Sequence, residues 1–206
     1  MYKTYFATIA FVQELLVWVG ITTLLVLPII LSYAPDLIPS QGIGLLFTIS
    51  LVMVFLVMLI RPLADLFPNI VFLRPLVILR KGLGVASASI IVSFMLSRFM
   101  LDGSGYILEF LTPERWSLAT GAFLSPVGDL SALVLLITSN RFAKRILSKN
   151  WKRVQKLAYV YFYAGCLYEF WFLDQTLALW FMIIVTGAVF GAYAKKRIQP
   201  LQPALA

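Results

Sequence analysis

Three carboxylates, Glu14, Asp129 and Glu169, stand inside or beside long apolar runs. A carboxylate at membrane depth is costly, and where one persists it marks proton transfer, ligand contact or helix pairing. Glu14 has Gln13 beside it and lies near the N-terminal end of its run. That suits an interfacial or helix-pairing role, with a proton or ligand role as the alternative. Asp129 closes Ser125-Pro126-Val127-Gly128-Asp129. Ser at an N-cap, Pro at the first helical position and an acid in the first turn make a helix-start signature, so Asp129 is expected to serve a helix end. Glu169 falls near the end of its run, beside Asp174, and is expected at an interface, with pairing to Arg98 as the alternative. The chain has one cysteine, Cys166, and no histidine. It therefore has no donors for an intrachain disulfide, an ordinary zinc site or an iron–sulfur cluster. GxSxG, P-loop and Rossmann glycine patterns are also missing.

The elements that must position these residues follow from composition. Of 206 residues, 61% are hydrophobic and 13% charged, and mean hydropathy is +0.93. A soluble domain of this length needs more polar surface, so the chain reads as an integral membrane protein. Crossing the hydrocarbon takes about 20 apolar residues. Six runs qualify, at about 5–33, 42–60, 83–101, 123–139, 154–172 and 176–194. Strand alternation is absent, which argues against a barrel. The fold class is an all-α, six-helix membrane bundle forming a single domain. The first run is longer than the core of a signal peptide and is expected to remain as a span.

The net charge of +8 is a topology signal rather than a nucleic-acid footprint, because the cations cluster between the runs. Lys3, Arg61, Arg74, Arg80, Lys81, seven cations from Arg141 to Lys156, and Lys195, Lys196 and Arg197 fall on one side. Arg98 and Arg115 fall on the other. The excess of positive charge predicts both termini in the cytoplasm, and the membrane is expected to be a bacterial inner one. The stretch NRFAKRILSKNWKRVQK, residues 140–156, reads as a helix extension lying on anionic head groups, with an acidic partner as the alternative ligand. On the far side YILEFLTPERW, residues 106–116, is apolar but broken by Pro, and is expected in the interface. Gly187 and Gly191 form a GxxxG that permits close helix approach, either within the chain or to another subunit.

Several short motifs occur in order. Arg61-Pro62-Leu63-Ala64 follows the second run, and Arg80-Lys81-Gly82-Leu83-Gly84 opens the third. Thr138-Ser139 ends the fourth, and Lys144-Arg145, Leu147, Trp151 and Tyr159 follow at fixed spacing. Over residues 42–172 this pattern resembles the ferric-reductase-like transmembrane domain family, in its MsrQ (YedZ) branch. That branch supplies the haem-bearing membrane subunit of a periplasmic methionine sulfoxide reductase system. The resemblance implies haem b held by histidines, and places them on Phe94, Gln155 and Tyr168 of this chain. All three are replaced. Phe offers no lone pair, a Gln amide is a poor iron donor, and Tyr binds iron only as phenolate, which burial opposes. Met95, Met100 and Cys166 are the possible substitutes and are expected to pack instead.

An emptied haem pocket of about 400 Å³ would cost roughly 10 kcal/mol at about 24 cal/mol per Å³. Side chains must therefore fill it, and the aromatics of the fifth run are the candidates: Tyr159, Tyr161, Phe162, Tyr163, Tyr168, Phe170 and Trp171. The expected function is that of a haem-free relative, with no cofactor and no catalytic residue, acting as a structural or accessory subunit of a larger membrane complex. Its expected partners are the lipid bilayer and other membrane subunits. Three alternatives stay open. One is redox chemistry through a flavin, a quinone or a tetrapyrrole held by Gln155 or Tyr168. The others are transport of a small solute past Glu14 or Asp129, and a role in assembly.

Overall fold

A computed structural model describes residues 2–198. They are helical with short turns, and no strand occurs among the described residues. The helices are α1 (Tyr2–Tyr33), α2 (Ser40–Leu66), α3 (Leu73–Leu76), α4 (Leu79–Asp102) and α5 (Ser104–Leu111). They continue with α6 (Leu124–Thr138), α7 (Arg141–Leu147), α8 (Trp151–Val154), α9 (Leu157–Phe172) and α10 (Thr176–Ile198).

Among the described residues four helical stretches are long and apolar enough to cross a membrane: α1, α2, α10 and the stretch Leu73–Asp102 that contains α4. The protein thus has the make-up of an integral membrane protein. The two remaining candidate spans are short. At 1.5 Å per residue, the 15 residues of α6 and 16 of α9 extend only about 22–24 Å, against about 30 Å of hydrocarbon. The run expected at 154–172 is also interrupted. α8 ends at Val154, Gln155 and Lys156 form a turn, and α9 begins at Leu157.

Small residues decide how the long helices meet. α1 lies along α4, both running the same way. A Cβ on Gly82 would sit 2.8 Å from the Gln13 carbonyl oxygen, and one on Gly20 would sit 3.1 Å from the Ala86 backbone. Ser93 and Ser32 add bonds along this seam, to the carbonyls of Thr23 (3.3 Å) and Ser97 (3.2 Å). α4 is the central helix, touching α1, α2 and α6. In its most apolar stretch 56% of residues are buried, against 17% in α1. α9 packs on α6, α10 and α2, and α10 packs on α2. Leu51, Val54, Met58, Val92, Ala132, Phe162 and Val185 fill the core between them. The large exposed side chains, such as Phe11, Trp18 and Leu25 on α1, face outward as lipid-facing residues do.

The basic segments gather at one end of this bundle. Tyr5 donates to the Phe72 carbonyl (3.0 Å), and Lys195 donates to the Leu66 carbonyl (2.6 Å). Both ends of the described chain therefore flank the α2–α4 connection. Trp151 Nε1 donates to the Thr138 carbonyl (3.1 Å), which brings the 140–156 stretch to the same end. There Asn140 Oδ1 accepts from the Ala143 amide and starts α7, leaving Phe142 and Ile146 exposed among the cations.

Candidate functional site

The three positions where the resemblance places haem ligands each engage a different neighbour. Phe94 stacks on Phe47 of α2, with centroids 4.6 Å apart and planes at 14°. Gln155 occupies the turn before α9, its Nε2 3.5 Å from Thr138 Oγ1. Tyr168 lies against Phe172 at 5.0 Å. Gln155 and Tyr168 are separated by about 20 Å of chain at helical rise. The donors do not fit a bis-imidazole haem. Phe94 has no donor atom, the Gln155 amide points at a hydroxyl, and the chain contains no histidine. Met95 packs against the core and Cys166 is fully buried.

What joins α2, α4 and α9 is a closed group of hydroxyls. Tyr161 OH lies 2.9 Å from Ser87 Oγ and 3.1 Å from Ser50 Oγ, and the two serine oxygens are 3.0 Å apart. Ser50 Oγ reaches the Ser87 carbonyl (3.2 Å), and Ser87 Oγ reaches the Ser50 carbonyl (3.0 Å). All three side chains are buried. Three protons have three acceptors: each serine donates to the other's carbonyl, and Tyr161 donates to a serine oxygen. No base or carboxylate takes part in any of these bonds, so the group ties helices together and holds no activated nucleophile. In the sequence Tyr161 reads only as a space-filler, and neither serine stands out. A serine in an apolar run carries no local sign that it faces another serine on a distant helix.

The candidate aromatics of α9 divide between the core and the outer surface. Tyr161 and Phe162 are buried, and Tyr163 OH bonds Thr186 Oγ1 of α10 at 2.8 Å. Tyr159 and Trp171, however, are 41% and 64% exposed. Side chains over three turns point all round a helix, so they cannot all face one site.

The three acids do not converge either. Glu14 is exposed on α1, at the height where α4 begins, because neighbouring Gln13 touches Gly82. The helix-start reading of Ser125 is corrected. α6 begins at Leu124 after Phe123, no side chain caps it, and Ser125 Oγ instead donates to Asp129 Oδ2 at 3.4 Å. Glu169, near the end of α9, is packed inside the bundle. It is 5% exposed, and its Oε2 has no hydrogen-bond partner. Arg98, the alternative partner, does not pair with it. The ion pair among the described residues is Arg115 with Glu109, at the far end. Arg115 also lies 5.6 Å from the ring centroids of Tyr106 and Phe110. Burial raises the Tyr106 phenol above its ordinary value. The Asp129 carboxylate adds to this, and Arg115 and Arg98 oppose it.

The GxxxG is divided. A Cβ on Gly191 would meet Leu66 of α2 at 3.4 Å, whereas one on Gly187 would meet nothing within 4 Å. Among the described residues no group of three or more His, Cys, Asp or Glu could hold a metal ion. No protein-family model matches the chain, and no solved structure matches it.

Proposed function

We propose that this protein is a haem-free, ferric-reductase-like membrane protein that serves as a structural or accessory subunit of a larger membrane complex. In this reading six helices cross a bacterial inner membrane, with both termini in the cytoplasm. The short α6 and α9 complete their crossings through the polar and aromatic segments that flank them. The gathering of basic residues at one end of the bundle supports that orientation.

One observation carries the functional reading. Tyr161 is hydrogen-bonded to Ser50 and Ser87 where α2, α4 and α9 meet, and positions 94, 155 and 168 offer no pair of iron-binding nitrogens. A helix junction closed by neutral hydroxyls suits a scaffold. Gly187 supports the subunit role, since its face of α10 has room for another helix.

The test is purification in mild detergent, with a visible spectrum and identification of co-purifying chains on the same sample. A colourless preparation with a stoichiometric membrane partner is expected. A Soret or flavin band in proportion to protein would replace this reading with a redox one, and a chain that purifies alone would remove the subunit role.

A further inference from the structure

At the basic end a cleft of about 180 Å³ opens between α2, α4, α9 and α10. Arg61 and Asp65 line it from α2, Arg80 from α4, Tyr159 from α9, and Tyr193 and Lys196 from α10. Three cations thus face one carboxylate. None of the three cations lies within ion-pair distance of Asp65 or of any other acid among the described residues.

One of the three cations, Arg80, is held in place by a bond that leaves it free to bind. Arg80 Nε donates to the Val57 carbonyl at 2.8 Å, which fixes its guanidinium and leaves the terminal nitrogens available. Lys195 is already committed to the Leu66 carbonyl, while its neighbour Lys196 lines the cleft. Tyr159 and Tyr193 also line the cleft and carry phenol donors. The deeper wall is apolar, formed by Met58 and Val189. Converging guanidinium, ammonium and phenol donors over an apolar wall match a phosphate oxygen cluster attached to a less polar group.

We propose that this cleft binds the phosphate group of an anionic phosphoester. Its position among the helices, at the end where the cations gather, matches the level of lipid head groups. An anionic phospholipid and a soluble phosphate present the same chemistry there. The inference stands apart from the haem-free reading, because none of its residues lies at a ligand position.

The test is native mass spectrometry of the full chain in a neutral detergent. The probes are dioctanoyl phosphatidylglycerol, dioctanoyl phosphatidylcholine and inorganic phosphate. Retention of one phosphatidylglycerol, without phosphatidylcholine, is expected. Arg61→Gln and Lys196→Gln alter exposed side chains, so the fold tolerates them. Each should weaken retention about fivefold. Lys152→Gln, an exposed change in the basic stretch, should leave it unaltered. Binding of inorganic phosphate with the same sensitivity to both variants would assign the site to soluble phosphoesters, and retention of the lipid alone would assign it to a head group. Equal retention of the two lipids, native-like retention by both variants, or equal weakening by Lys152→Gln would overturn the proposal.

Discussion

The junction of Ser50, Ser87 and Tyr161 makes a prediction whose sign depends on background. In the native chain, Tyr161→Phe removes one donor. Both serines keep their carbonyl partners, at 3.2 Å and 3.0 Å, so no buried group is orphaned. The expected loss is about 0.6–1 kcal/mol, the net value of one interhelical hydrogen bond. The double change Ser50→Ala/Ser87→Ala acts differently, because it leaves the buried Tyr161 hydroxyl facing two methyl groups. An unpartnered buried hydroxyl carries a penalty of about 1–3 kcal/mol. Adding Tyr161→Phe to that background removes the orphan and should restore about 1–2 kcal/mol. The same substitution thus destabilises one chain and stabilises the other. Reversible unfolding in mixed micelles, on the four proteins of this cycle, reads both signs. If Tyr161→Phe shifts stability in the same direction in both backgrounds, the hydroxyls do not form the junction described and the scaffold argument loses its support.

Two further outcomes follow from the helix seams. Gly82→Ala places a methyl group against the Gln13 carbonyl, where no flexible side chain can yield. A loss of about 1–3 kcal/mol is expected in the same unfolding assay, with proteolysis releasing α1 before the rest; a neutral result would mean that α1 does not lie this close to α4. Gly187→Leu fills open space, so the isolated chain should stay within about 0.5 kcal/mol of the native one. Its effect should instead appear as loss of the co-purifying subunit, and full retention of that subunit would place the contact elsewhere.

Much of the fold was legible in the residue order. Six apolar runs became the six long or intermediate helices, because hydrophobic length is a local property. The start of α10 at Thr176 and the end of α1 at Tyr33 match the expected limits. The break at Gln155 has no local signal in the sequence, since it lies in a stretch whose helical propensity continues without Pro or Gly. Gly82, part of a motif in the sequence, is one of the points where α1 touches α4.

Chemistry was legible by elimination. A chain with no histidine and one cysteine lacks the donors for most metal centres, and no packing can supply atoms that the side chains do not contain. Which polar groups meet was decided by the tertiary structure alone. Ser50 and Tyr161 are 111 positions apart, and only the crossing of α2, α4 and α9 brings their oxygens to 3.1 Å. Burial of Glu169, whose Oε2 has no partner, and exposure of Glu14 were likewise decided by the packing of neighbouring helices. A helix carries its side chains on every face, and the neighbour that covers a face is chosen by the whole bundle rather than by the residues beside it.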